Sequence, residues 1–146
     1  MTTGRNIRVL CVPPTHFARL LPHCAGTLER GLQIAGDGIG DVAHRIEDAT
    51  LQAWIVTDGQ EVLATCFTEI CPEPGGGKFV AVCGLAGRRI MRWARELSDT
   101  MASFAHAEGC SRLLFQGRPG WVRLLPEFRP VGRRDGETVW ERRVLQ

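Results

Sequence analysis

Residues 78–97 read Lys78-Phe-Val-Ala-Val-Cys83, then Gly84-Leu-Ala-Gly87, then Arg88-Arg-Ile-Met-Arg-Trp-Ala-Arg-Glu-Leu97. The first block is a short apolar run bounded by a lysine and a glycine, which reads as a strand over 78–83. In the third block the period changes. Ile90, Ala94, Leu97, Met101, Phe104 and Ala105 recur three or four residues apart, with Trp93 bordering the same face. That spacing predicts an amphipathic helix over 88–108 with Gly109 as its C-terminal stop. Gly84 and Gly87 between the two blocks predict a tight strand-to-helix turn. Arg112-Leu-Leu-Phe-Gln116 follows Gly109 closely and reads as another strand. Strand, helix and strand in this order form a crossover, and a crossover places its two strands in parallel.

Outward from this unit the signals are antiparallel. Ala53–Thr57 and Glu61–Ile70 flank Asp58-Gly59, the sequence of a type I′ hairpin turn. A Gly75-Gly76-Gly77 loop leads into the strand at 78. At the N-terminus, Ile7–Val12 reads as a strand stopped by Pro13-Pro14. A helix capped by Thr15 and interrupted at Pro22 follows, then a glycine-rich loop over 36–40 and a short helix capped by Asp41. The C-terminal side holds a short helix from Trp121 to Leu125 and a second hairpin around Asp135-Gly136. The expected order is β-α-α-β-β-β-α-β-α-β-β. It describes a mixed α/β (α+β) sheet, mostly antiparallel with a central parallel pair and helices on both faces.

The bulk properties agree with one domain spanning 1–146. The chain has 146 residues and 16.1 kDa, with 44% apolar and 23% charged residues, which excludes a disordered chain. No apolar run is long enough to span a membrane, and the polar N-terminus has no leader signature, so the expectation is a cytoplasmic protein. Net charge is +2, made of 17 Arg and the single Lys78 against 16 acids, and the chain has no Tyr. Residues 118–143 hold seven Arg and four acids, but Glu137 and Glu141 interleave with the arginines, which reads as a solvated hairpin face rather than a nucleic-acid groove. The six cysteines, at 11, 24, 66, 71, 83 and 110, include no C-x-x-C pair. His106 with Cys110 and His23 with Cys24 are the only metal-like spacings, so reduced, small buried thiols and no metal are expected.

The chemistry concentrates at the glycine turn. Glycines let a ligand approach the backbone closely, and the helix that follows offers unpaired N–H groups and the positive end of its dipole, where phosphate binds. Arg88 and Arg89 add cations. Together with the element order, this segment resembles the GNAT superfamily of acyl-CoA N-acyltransferases, and in particular its small phage- and prophage-encoded members. In that superfamily a Q/R-x-x-G-x-G/A turn holds the pyrophosphate of coenzyme A. Ala81-Val-Cys-Gly84-Leu-Ala86 matches its Gly and final small residue, with Ala81 in place of Gln or Arg. Ala107–Trp121 and Phe128 with Pro130-Val131-Gly132 also resemble the phage-type pattern, with Glu127 where Gly is usual.

The resemblance implies acetyl-CoA as co-substrate, bound by Val82, Cys83, Gly84, Leu85, Ala86, Gly87, Arg88 and Arg89. It also implies an amine acceptor, on a small molecule or a protein, and a main-chain N–H near Val82 facing the oxyanion. An ammonium acceptor must lose a proton before it attacks, and Glu69, on the side of its strand shared by Leu63, Thr65 and Phe67, is the leading base. Glu73 and His106 are weaker ones. The family's usual acid is a Tyr, and Arg123 or Leu124 stands roughly at its place. Trp121 reads as core or as a wall of the acceptor cleft, and Trp54 and Trp93 as core. The competing reading keeps the fold without turnover, as a virion-associated interaction protein with phage structural partners. Either reading accommodates a homodimer.

Overall fold

The computed structural model describes residues 6–16, 50–117 and 120–144. The helices expected between Thr15 and Ala49, together with His23 and Cys24, lie outside the described residues. So does the side chain of Trp121. The strands are β1 (Arg8–Val12), β2 (Gln52–Thr57), β3 (Val62–Pro72), β4 (Lys78–Gly87), β5 (Arg112–Gly117), β6 (Arg129–Arg134) and β7 (Glu137–Arg143). A single turn of 3-10 helix, Pro14–His16, follows β1, and the helices are α1 (Ile90–Ala107) and α2 (Trp121–Leu124). The hydrogen-bonded strand order is β1-β2-β3-β4-β5-β7-β6. The parallel pair is β4–β5, joined through α1, as the crossover pattern requires.

The chain divides into two compact units, one of residues 1–69 with 83–93 and one of 70–82 with 94–146. In the first, β1 pairs antiparallel with β2 from Arg8↔Thr57 to Val12↔Ala53, and β2 with β3 from Gln52↔Thr68 onward. Val56, Leu63, Ala64, Cys66 and Phe67 are almost entirely buried there. Thr68 is a polar residue in this core. Its hydroxyl accepts from Trp54 Nε1 at 2.9 Å and donates to Gln52 Oε1 at 2.9 Å, so the indole and the hydroxyl are both satisfied.

The β2–β3 connection departs from the expected two-residue turn. A type I′ turn needs positive φ at both central residues, and here Gly59 (φ 93) has it whereas Asp58 does not. The Asp58 carboxylate instead accepts the N–H groups of Gln60 and Glu61 at 2.9 and 3.0 Å, stabilising a longer loop from Asp58 to Glu61. The sequence signature recurs with its expected geometry at the other hairpin, where Asp135 (φ 52) and Gly136 (φ 81) are both left-handed.

In the second unit β7 lies between β5 and β6, antiparallel to both, with a bulge between Pro130 and Gly132. Ala94, Leu97, Met101 and Ala105 of α1 are buried at helical spacing, as are Leu113, Phe128 and Trp140. Phe115 meets Phe128 edge to face at 4.9 Å, and Trp140 Nε1 donates to the Gly117 carbonyl at 3.1 Å. The stop at Gly109 (φ 75) is a Schellman cap, in which Cys110 N donates to Ala105 O and Gly109 N to His106 O.

Candidate functional site

The stretch expected to turn at Gly84 does not. Strand β4 runs without interruption to Gly87, and α1 opens only at Ile90, two residues later than expected. Gly84 is buried inside the strand, and Leu85 and Ala86 are half-buried, so this glycine does not make the bend. The segment Ala81–Ala86, matched above to a phosphate turn, is therefore strand throughout, and the true turn is Arg88-Arg89.

Gly87 is the residue that makes this turn fit. A Cβ there would stand 2.5 Å from Ala64 Cβ and 2.7 Å from the Leu63 carbonyl oxygen, closer than any side chain tolerates. The bare Cα lets the junction lie directly on β3. From there Arg88 N donates to Leu63 O at 2.9 Å, and Trp93 Nε1 donates back to Arg88 O at 2.7 Å. Both main-chain groups of Arg88 are thus fixed. Arg89 follows at φ 57, a left-handed conformation that costs an arginine energy and that clusters at functional turns. The first turn of α1 then contains no acidic residue, so no carboxylate of that turn offsets the positive end of its dipole.

The side chains around the turn are organised by charge. Arg88 Nη2 meets Glu61 Oε2 at 2.5 Å, and Arg92 Nη1 lies 3.8 Å from Asp58 Oδ2. The backbone N–H groups of Glu61 and Gln60 hold the Asp58 carboxyl below the usual carboxylate range, and Arg92 adds to this. Arg89 is exposed.

Glu69 is half-buried on β3, which continues beyond it to Pro72 instead of ending there. The Cys83 thiol donates to Glu69 Oε2 at 3.8 Å, so the candidate base and one of the expected cofactor-binding residues are neighbours. Cys66 is fully enclosed nearby, and burial, with a smaller contribution from Cys83, pushes its thiol pKa up.

The other candidates separate from this group. Glu73 is committed to structure: Arg112 holds both its oxygens, Nε to Oε2 at 3.0 Å and Nη2 to Oε1 at 2.7 Å, and Ser111 Oγ adds a bond at 3.1 Å. The Arg112 hydrogen bonds hold its carboxyl low, which removes it as a base. Arg112 continues through Nη1 to Glu141 Oε2 at 2.8 Å, and Arg129 Nη2 reaches Glu141 Oε1 at 3.1 Å. Glu141 is 4% exposed, so this residue, read from the sequence as part of a solvated face, is a buried hub instead. Burial works to raise its pKa, but hydrogen bonds from Arg112 and Arg129 prevail and keep it ionised. His106 is exposed near the end of α1. Among the described residues no three His, Cys, Asp or Glu side chains gather to hold a metal, and no helix is long and apolar enough to cross a membrane. Of the five described cysteines, Cys66 and Cys110 are buried as expected, Cys71 and Cys83 are half-buried, and Cys11 is exposed. Trp54 and Trp93 are core residues, at 5% and 1% exposure.

Neither a protein-family model nor a curated protein matches the chain in sequence. Its structure does have relatives. An Arabidopsis thaliana NAA60 structure, in complex with acetyl-CoA, superposes with a TM-score of 0.67 at 13% identity, covering 94% of this chain and 98% of that one. The GNAT domain of S. lividans PAT gives 0.64 at 16% identity over 94% and 90%. A ribosomal-protein-alanine N-acetyltransferase from Brucella melitensis gives 0.59 at 16% identity over 81% and 84%. These likenesses establish that the chain has the fold of the GNAT acetyltransferases.

Proposed function

We propose that this GNAT-fold chain is an acyl-CoA-dependent N-acyltransferase that moves an acetyl group from acetyl-CoA to an amine. The observation that carries the reading is the junction between β4 and α1. A glycine pressed onto β3, a left-handed arginine and an acid-free helix start together present main-chain N–H groups and two cations to one small region. That is the chemistry a pyrophosphate needs. Gly87, Arg88 and Arg89, with the first N–H groups of α1, are the proposed phosphate cradle. The main chain of β4 from Val82 through Cys83, Gly84 and Leu85 to Ala86 is the proposed track for the pantetheine arm. The short β4–β5 ladder, with register pairs Val80↔Leu113 and Ala81↔Leu114, supports this assignment, because it runs out just before Val82.

In this reading the thioester carbonyl accepts the N–H near Val82, which stabilises the oxyanion as the amine attacks. Glu69 takes the proton from the incoming ammonium, and the neutral amine then attacks the carbonyl. As the tetrahedral intermediate collapses, the nitrogen gives its second proton to solvent, the amide bond is complete and the carbon–sulfur bond breaks. The chain has no Tyr, so the departing thiolate takes its proton from solvent. Holding the two reactants in line supplies most of the acceleration. The test is mass-spectrometric: purified protein is incubated with acetyl-CoA and a panel of polyamines, aminoglycosides and peptides with free N-termini or lysines. A product heavier by one acetyl group, with stoichiometric free coenzyme A, is the expected result. Absence of both over the uncatalysed blank, for every amine, would refute it.

A further inference from the structure

The proposed phosphate cradle carries its own competitor. Arg88 is one of the two cations of the turn, yet its guanidinium is held by Glu61 at 2.5 Å. The two side chains are 56% and 40% exposed, so an incoming ligand can reach the pair. We infer that Glu61 occupies the Arg88 guanidinium in place of a phosphate, and that binding of a polyphosphate proceeds by exchange of one anion for the other. Glu61 is thereby an affinity-setting residue of the site. The inference rests on the acyl-CoA reading and adds to it a residue from a different hairpin.

Three observations make the exchange a side-chain event. The Arg88 main chain is fixed on both sides, its N–H on the Leu63 carbonyl and its carbonyl under the Trp93 indole, so only the guanidinium needs to move. Its neighbour Arg92 is anchored differently, 3.8 Å from Asp58. Asp58, in turn, is occupied by the N–H groups of Gln60 and Glu61 on Oδ1 and by Arg92 on Oδ2, so it is poorly placed to replace Glu61 as a partner for Arg88. Removing the Glu61 charge therefore releases Arg88 and simultaneously removes a carboxylate that would repel the ligand. An exposed pair of this kind is weak, so its release should tighten polyphosphate binding only severalfold, roughly two- to fivefold.

The experiment is calorimetric titration of coenzyme A, and separately of inorganic pyrophosphate, into the wild type, Glu61→Gln, Arg88→Gln and the double variant, at low and at high salt. Glu61→Gln is expected to bind both probes about two to five times more tightly than the wild type at low salt, with a smaller gain at high salt. In the Arg88→Gln background the Glu61 substitution should confer little or none of that gain, because the exchange has lost its cation. A wild type that binds coenzyme A while Glu61→Gln binds no more tightly would overturn the inference and leave the acyl-CoA reading standing. A gain of full size in the Arg88→Gln background would also overturn it, since Glu61 would then act by general charge. Failure of every variant to bind coenzyme A would overturn the acyl-CoA reading, and this inference with it.

Discussion

Gly87→Ala adds one methyl group at the point where the β4–α1 junction lies on β3. Two effects of opposite sign compete. Replacing a glycine by alanine restricts the unfolded chain and stabilises by about 0.4–1 kcal/mol wherever the native backbone accepts a side chain. At Gly87 the new Cβ would stand 2.5 Å from Ala64 Cβ, 2.7 Å from Leu63 O and 2.8 Å from Ala64 Cα. Two of these atoms are backbone, so relief requires separating the strand from the junction. Forcing such a group into packed space costs about 1–3 kcal/mol, which exceeds the entropic gain. The net expectation is a loss of about 1–2 kcal/mol, or roughly 2–8 °C in melting temperature. Urea denaturation followed by tryptophan fluorescence reads it directly, since Trp93 donates to Arg88 beside the site. Gly87→Ala combined with Ala64→Gly should recover only part of the loss, because the clash with Leu63 O persists. Gly132→Ala is the control: its methyl would have no neighbour within 4 Å and its φ is ordinary, so it should be neutral or slightly stabilising. A Gly87→Ala protein as stable as the wild type would refute the close packing on which the cradle depends.

Further outcomes follow from the charge network and the thiols. Arg112→Met leaves Glu73 without its bidentate partner and strips one of the guanidiniums from Glu141, so at neutral pH it should cost about 3 kcal/mol in denaturant melts. Glu73 and Glu141 are both held below the ordinary carboxylate range. The stability they contribute is therefore present above about pH 4.5 and lost as pH falls through their lowered values, and the gap between wild type and Arg112→Met should narrow in acid. Cys66 and Cys110, at 1% and 0% exposure, should resist a polar maleimide in the native protein, whereas the exposed Cys11 reacts; mass spectrometry of digests locates the adducts. Glu69→Gln keeps the shape of the side chain without its basicity, so turnover should fall by about a hundredfold or more at neutral pH with acetyl-CoA affinity nearly unchanged.

The parts of this fold that depend on local chemistry could be read from the chain. The apolar spacing from Ala94 to Ala105 marks α1, Gly109 ends it, and the strand–helix–strand order implies the parallel pair that β4 and β5 form. Punctuation by glycine was the less reliable guide. Gly84 reads as a turn residue but is buried in β4, since glycine occurs both at bends and inside strands and the local sequence does not distinguish the two. Asp58-Gly59 carries a two-residue turn signature, yet the Asp58 carboxylate captures two N–H groups and stabilises a longer loop. The ion pairs were hidden for another reason: Glu73 lies 39 residues from Arg112, and Arg112 lies 29 from Glu141, distances over which no sequence periodicity operates. The same holds for Glu61 and Arg88, which meet only because β3 brings the hairpin beside the junction.

Binding of acetyl-CoA at the β4–α1 junction is tested most directly by titration calorimetry of acetyl-CoA into the wild type and into Arg89→Glu. Saturable one-to-one binding to the wild type is expected, with a melting temperature that rises with ligand, since a ligand at a hundred times its Kd stabilises by about 2.7 kcal/mol. Arg89→Glu, which places a negative charge at the left-handed turn residue, should lose most of that affinity while retaining the wild-type melting temperature without ligand. No heat and no thermal shift with the wild type at millimolar acetyl-CoA would contradict a coenzyme site at this junction, as would an Arg89→Glu protein that binds as tightly as the wild type.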